Sequence, residues 1–332
     1  MIRPLSLARP VIALVLLSLL LTVGCPLGPS RTLPGGLAIA GAPAGRADGT
    51  PVSLSLVPVP KAYRRNVPRG VHLYSLVYWS RGLRCQAYLS VPGGERAYPL
   101  LLELHGGSFT SDPMQHWSGF PVITPSVAAV FSQPAAIVFS PNYGGYGPSQ
   151  GTVGDGHDDY VDVVNGLKAL RQISGLRIKA RDTFLFGVSL GGVVALLLAA
   201  DNPQVRAVEL ESPWPGAAEA QVWLEAQRVG TLTTGLVADM DYLTTACGPQ
   251  LTSAWCRRNS VPLREVHAPI LLLGGTSDPI ITPGMLRATY RDLHRYNAHV
   301  QLVLIPGGHA PTTPQAGKVE QEWFVRHGLR LY

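Results

Sequence analysis

The apolar positions of this chain fall into short runs separated by glycine- and proline-rich loops, and between the runs lie stretches with helical spacing. Residues 71–79 and 84–91 read as the two strands of a hairpin. Residues 100–104 and 135–139 are short apolar strands, each followed by a loop rich in Gly or Pro. Residues 160–173 have helical periodicity, with Val163, Val164, Leu167 and Leu170 on one side. A strand at 183–186, a helix at 190–200 and a strand at 205–210 follow. Strands at 270–273 and 300–305 flank a helix over about 283–296, and a last helix covers about 314–327. Short strands alternating with amphipathic helices predict an α/β fold, a mostly parallel sheet covered on both faces. No internal repeat is visible at periods of 20 to 50 residues.

Two segments stand outside this pattern. Arg3 and Arg9 precede an apolar run over residues 11–23 that only Ser18 and Thr22 interrupt. The run is too short to span a bilayer comfortably and has the layout of a secretory signal over residues 1–25. It ends Leu21-Thr22-Val23-Gly24-Cys25, which resembles the lipobox of bacterial lipoproteins and implies lipidation at Cys25. Residues 26–53 are dominated by Gly, Pro and Ala and cannot offset their ordering entropy, so a flexible tether is expected there. The folded domain is then expected over 54–332, outside the cytoplasm, membrane-anchored through Cys25, secreted, or held by an uncleaved signal anchor.

Composition narrows the function classes. Of 332 residues, 46% are apolar and 14% charged, which excludes disorder for most of the chain. The 36 Gly and 29 Pro follow no Gly-X-Y period, so a collagen-like fibre is excluded. Lys and Arg exceed Asp and Glu by 27 − 21 = 6, but without any basic run, which argues against nucleic acid as a partner. In an exported protein the C-x8-C spacing of Cys247 and Cys256 suggests a disulfide closing a small loop. Cys85 lies in a strand-like apolar run and reads as a buried, inert thiol. Asp155, His157, Asp158, Asp159 and Asp162 do not match a calcium loop. Asp155, Asp158 and Asp159 read as the start of the following helix, and no metal site is expected.

The chemistry collects in the loops that follow strands. Gly187-Val188-Ser189-Leu190-Gly191 is a G-x-S-x-G sequence between a strand and an apolar helix, the context of a nucleophile elbow. A nucleophilic serine needs a base, and the base needs a carboxylate. Gly274-Gly275-Thr276-Ser277-Asp278-Pro279 and Pro306-Gly307-Gly308-His309 follow the next two strands, so Asp278 and His309 occupy their tips in the required chain order. Asp292 lies in a helix among Arg residues, while Glu320 and Glu322 lie in the last helix; all read as solvated. His294, His299 and His327 read as surface residues. Glu209, Glu211 and Asp239 are the next candidates for the acid. An oxyanion hole is expected from the backbone N–H groups of Leu190, after the nucleophile, and Gly107, in the loop His105-Gly106-Gly107-Ser108. His105 reads as an orienting residue of that loop.

Together LLLELHGG, SPNYGGYGPSQG, GVSLGG, GGTSDPIITP and PGGHAP resemble the catalytic domain of the prolyl oligopeptidase family of serine peptidases, within the α/β-hydrolase superfamily. The resemblance runs from about residue 71 to 328. It implies an α/β-hydrolase fold, Ser189 as nucleophile, Asp278 as acid, His309 as base, Gly107 and Leu190 at the oxyanion hole, and cleavage of peptide or acyl-amide bonds. A carboxylesterase is the alternative, because the same groups cleave esters; a further reading is a non-catalytic surface-binding lipoprotein with a hydrolase fold, against which the intact Ser189, Asp278 and His309 loops count. No cofactor is implied. Gly144 stands where the family has Arg, which leaves its substrate contacts at that loop open. Large members of the family carry an N-terminal β-propeller. The stretch before the His105 loop is about one blade long, at roughly 40–45 residues per blade, so a more open site is expected. Residues 213–265 read as a small cap. Its Trp214, Trp223 and Trp255 either line an acyl or side-chain pocket or form the cap's own core.

Overall fold

The computed structural model describes residues 33–40, 45–107, 122–153, 156–217 and 245–331. Strands β1 (Ala38–Ile39), β2 (Pro51–Leu56), β3 (Val71–Ser80), β4 (Leu83–Pro92), β5 (Tyr98–Leu104) and β6 (Ile137–Asn142) form the first half. They are joined by β7 (Ile173–Ser174), β8 (Ile178–Val188), β9 (Val205–Glu211), β10 (Ile270–Gly275) and β11 (Val300–Ile305). Nine of them make one sheet in the order β11-β10-β9-β8-β5-β6-β4-β3-β2. From β6 to β11 every pairing is parallel, while β2, β3, β4 and β6 pair antiparallel. The long apolar strands of the parallel half are buried on both faces, as helical crossovers demand.

The helices are α1 (Pro125–Phe131), α2 (Gly156–Leu170), α3 (Leu190–Asp201), α4 (Ala254–Asn259), α5 (Pro283–His294) and α6 (Pro314–Arg326). One sheet face packs its leucines and valines against α2, α3 and α5 in the larger core. The other face, with Leu101, Phe184, Phe186 and Leu271, is covered by Trp323 and Phe324 of α6. Thr124, Thr282 and Thr313 each cap a helix that opens on proline, their hydroxyls accepting the N–H of the third helical residue.

The hairpin read over 71–91 is closed by the two-residue turn Arg81-Gly82, both with positive φ (51° and 74°). Arginine takes that conformation because its guanidinium forks onto α2. Nε and Nη2 donate to Asp162 at 3.0 and 2.9 Å, and Nη1 donates to Asp158 at 2.9 Å. Asp162 also accepts from Ser80 and from the Gly144 N–H, so it is a buried junction rather than part of a solvated helix start. The helix expected over 160–173 begins earlier, at Gly156, with Asp158 and Asp159 in its first turn, and ends earlier because Ile173 pairs in β7. Asp155 lies outside the described residues. Among those described, no group of three or more His, Cys, Asp or Glu side chains could hold a metal ion.

The segment expected to be a tether, 26–53, is anchored along part of its length. Ala38 and Ile39 pair with Ser174 and Ile173, Leu37 is buried in the main core, and the Tyr74 hydroxyl donates to the Pro34 carbonyl. Strand β2 also begins inside it, at Pro51. A few apolar residues in a Gly- and Pro-rich stretch are enough to dock it. The signal and lipobox, with Cys25, lie outside the described residues. Within 213–265, Trp223 and Asp239 lie outside them as well. Trp214 belongs to the main core, with Trp255 packed against it. Cys247 and Cys256 form the expected disulfide, their Cα atoms 4.6 Å apart, and Cys85 is a buried free thiol.

Three glutamates point from the strands into the α6 face. Glu103 and Glu209 flank Phe186 in register, and Glu211 lies two residues further along β9. Burial pushes the Glu103 carboxyl up to about 8 and, with repulsion from Glu320, pushes Glu211 up to about 7. Burial raises Glu209 well above the ordinary carboxyl value, with Glu320 and Glu211 adding to it. Glu320, read from sequence as solvated, is itself half-buried and raised by burial. A raised carboxyl keeps its proton in the folded state longer than in the unfolded state. The stability tied to it is therefore fully present below the unfolded value and is lost as pH rises through the folded one. Thermal unfolding followed from pH 5 to pH 9 should show stability falling across about pH 5 to 8. Glu103→Gln should flatten that slope, by on the order of a few kcal/mol over the range. A slope unchanged in Glu103→Gln would mean the group is ionised in the fold.

Candidate active site

The parallel strands end side by side, and their order places the loops that follow them. Along the edge β5-β8-β9-β10-β11 come His105 to Gly107, Ser189, Ser212, Asp278 and His309. Backbone hydrogen bonds tie each loop to the next strand end. The Ser189 N–H donates to the Glu211 carbonyl at 3.0 Å, Ser212 N–H to Leu273 at 2.7 Å, Thr276 N–H to Ile305 at 2.8 Å and Ser277 N–H to Gly307 at 2.9 Å.

Ser189 sits at the turn between β8 and α3 with φ 51° and ψ −118°, a conformation that is costly for any residue with a Cβ. Its carbonyl accepts from Gly192 and Trp214, both at 2.8 Å, which holds the turn closed. The hydroxyl makes no capping bond to α3, although Ser189 occupies the N-cap position. Glycine on either side is enforced by space. A Cβ on Gly187 would lie 2.5 Å from the Gly191 carbonyl oxygen, and one on Gly191 would lie 2.1 Å from that of Leu104.

His309 is half-buried, and its Nδ1 lies 2.9 Å from Oδ2 of Asp278. The other carboxylate oxygen, Oδ1, accepts the N–H groups of Ile280 at 2.8 Å and Ile281 at 2.9 Å. Burial alone would push Asp278 up. The hydrogen bond and charge of His309, the Ile280 N–H and the Ser212 hydroxyl together hold it below the ordinary carboxylate value instead. Among the described residues no hydrogen bond joins the Ser189 hydroxyl to His309. The acid and base are paired on the ends of β10 and β11, and the nucleophile stands on the same edge of the sheet at the end of β8, with β9 between.

Gly107 and Leu190 are brought into contact. A Cβ on Gly107 would meet Cδ2 of Leu190 at 2.7 Å and the Tyr146 hydroxyl at 2.3 Å. Leu190 opens α3, so its N–H has no acceptor within the helix. His105 is buried, its ring stacked on Tyr143 (centroids 4.1 Å apart, planes 20°) and edge-on to Tyr146. Tyr143 donates to the His105 carbonyl at 3.1 Å. His105 thus packs the loop in place, as the sequence suggests. The glycine at 144 has a local cause: a Cβ there would lie 2.6 Å from Nη2 of Arg81.

The other candidates lie elsewhere. His299 precedes β11, at the opposite end of that strand from His309. His294 closes α5 and stacks on Tyr290, while Nδ1 of His327 lies 2.8 Å from the Trp323 carbonyl. Asp292 lies within α5 and Glu322 is exposed on α6. Glu209 and Glu211 face the α6 side of the sheet. Sequence reading missed Ser212, whose signal is spatial; Tyr143 and Tyr146 lie within the SPNYGGYGPSQG motif but were given no role.

The family described as "Alpha/beta hydrolase family" matches residues 100–322. An "Uncharacterized peptidase YtmA" of Bacillus subtilis (strain 168) is 27% identical over 129 residues, 39% of this chain and 46% of that protein, so the match spans under half of that relative. Among solved structures, the acetyl xylan esterase from Paenibacillus sp. R4 superimposes with a TM-score of 0.59 at 14% identity, over 82% of this chain and 88% of that one. The acylaminoacyl peptidase of Pyrococcus horikoshii gives 0.58 at 16% identity, over 80% of this chain and 42% of that one. At such identities the likeness is one of fold.

Two glycines test the packing at the elbow. Gly191→Ala should cost roughly 1–3 kcal/mol or more in urea unfolding, because backbone at Leu104 cannot yield to the new methyl. Gly317→Ala, in α6 where a Cβ meets nothing, should instead add about 0.5–1 kcal/mol. Equal effects at the two positions would contradict the close approach.

Proposed function

The chain belongs to the alpha/beta hydrolase family, and on that basis we propose that it cleaves a peptide or acyl-amide bond by an acyl-enzyme mechanism with Ser189 as nucleophile, His309 as base and Asp278 as acid. The reading as a serine hydrolase is supported by the family, by the likeness to a protein named as a peptidase, and by a fold shared with an esterase and a peptidase. The observation that carries the residue roles is the 2.9 Å bond between Nδ1 of His309 and Oδ2 of Asp278, on the same sheet edge as the strained turn of Ser189 with only β9 between β10 and β8. With Asp278 fixing Nδ1–H, the free Nε2 is the basic nitrogen.

In the reading proposed, the Ser189 hydroxyl attacks the substrate carbonyl carbon while His309 takes its proton at Nε2. The oxyanion so formed accepts the N–H groups of Leu190 and Gly107. The imidazolium then protonates the leaving amine, the C–N bond breaks, and Ser189 is left acylated. Water, deprotonated by His309, attacks the ester, and the acid departs as the proton returns to Ser189. The likeness of GVSLGG, GGTSDP and PGGHAP to prolyl oligopeptidase-type peptidases favours amide substrates. The protein is proposed to act outside the cytoplasm, held to a membrane through lipid on Cys25; the disulfide between Cys247 and Cys256 suits an oxidising compartment.

Ser189→Ala should abolish turnover and covalent labelling by a fluorophosphonate, and Asp278→Asn should lower kcat on the order of 10⁴-fold, as in other Ser-His-Asp enzymes. Turnover on matched ester, aminoacyl-amide and N-acyl-amide chromogenic substrates decides the bond cleaved. Hydrolysis of the ester alone would make the protein a carboxylesterase, and near-normal turnover in Asp278→Asn would remove Asp278 from its role.

A second experiment addresses location. Cys25→Ser should release the protein from the membrane fraction of expressing cells and leave its signal processing altered, since acyl chains supply the attachment. Unchanged partitioning would exclude lipidation at Cys25 as the anchor.

A further inference from the structure

Ser212, which opens the loop after β9, stands between the elbow and the acid–base pair. It is fully buried and has φ 44°, a left-handed conformation in which its hydroxyl is turned toward β10 and β11. That hydroxyl accepts the N–H of Ala310, the residue after His309, at 3.1 Å, and its proximity helps to hold the Asp278 carboxylate ionised. A hydroxyl has one proton and two lone pairs, so it can accept from Ala310 and still turn its proton toward the carboxylate. Ala310 itself has φ 47°, a second left-handed residue held by this contact. The backbone closes the arrangement on the other side. Ser212 donates to Leu273 at the end of β10, and the carbonyl immediately before it, that of Glu211, receives the N–H of Ser189.

We propose that Ser212 is a positioning residue of the hydrolytic site, whose hydroxyl holds the Asp278 carboxylate and the backbone beside His309 at once, so that the imidazole keeps one orientation toward Ser189. The inference rests on the reading of Ser189, Asp278 and His309 given above and adds a fourth group to it. Ser212 touches no reacting atom; it acts through Asp278 and the His309 loop. Without its hydroxyl, the Ala310 N–H loses its acceptor and the carboxylate loses a donor. The loop carrying His309 then has freedom that the parent lacks.

The test compares Ser212→Ala and Ser212→Gly with the parent, using a chromogenic substrate and counting active sites by fluorophosphonate labelling. Glycine tolerates the positive φ, so Ser212→Gly removes the hydroxyl while relieving the backbone. Both variants should show kcat per labelled site reduced roughly 10- to 100-fold with KM within about two-fold. A residue that only supports the fold would lower the melting temperature or the number of active sites. It would leave kcat per site where it was, and that result in either variant overturns the proposal. Ser189→Ala is run alongside. Turnover surviving in Ser189→Ala overturns the underlying reading and this inference with it. A dead Ser189→Ala with normal Ser212 variants overturns the inference alone.

Discussion

The structure depends on an approach of backbone to backbone with no room between. The first turn of α3 presses on the ends of β5 and β8 so closely that a single methyl on Gly191 would fall within 2.1 Å of the Leu104 oxygen. That contact places the serine at the tip of β8 in a conformation it would not choose, and the bonds to Glu211, Gly192 and Trp214 keep it there. It also brings Leu190 against Gly107, so the nucleophile turn and the neighbouring glycine loop are shaped by one event. The sheet extends that order sideways, because each loop borrows an acceptor from the next strand.

Electrostatics divides the carboxylates of the molecule into two populations. Asp278 is buried but surrounded by donors, and it stays ionised. Glu103, Glu209 and Glu211 are buried on strands nearby with few donors, and burial drives them toward the neutral form, helped at Glu209 and Glu211 by the charge of Glu320. Chain position alone does not separate these groups, since Glu211 and Asp278 both lie at or beyond the carboxyl ends of adjacent strands. What separates them is the number of N–H and O–H groups aimed at the oxygens.

This division also explains what the sequence could and could not show. The elbow, the Asp278 loop and the His309 loop were legible because each is a local pattern, an apolar strand followed by glycines and one reactive side chain. The strands of the parallel half were legible for the same reason. Arg81 and Asp162 were not, because the partners are 81 residues apart and each looks ordinary alone. Ser212 was hidden likewise: its partner Ala310 is 98 residues away, and serine after a strand carries no signal of its own. Glu320 was misread as solvated because helical spacing assigns a face but not how deeply that face sinks. The docking of Leu37 escaped notice in a stretch whose glycines and prolines announce a coil.

The two-residue pairing of β1 with β7 has a mechanical meaning. Any pull on the chain from its N-terminal side enters the fold there, at Ala38 and Ile39, next to the start of β8 and a full strand's length from the turn of Ser189. The buried Leu37 side chain and two short antiparallel pairings take the load before any strand of the large sheet does. They act as a sacrificial clasp. Tension that opens it would leave the geometry at the far ends of the strands undisturbed.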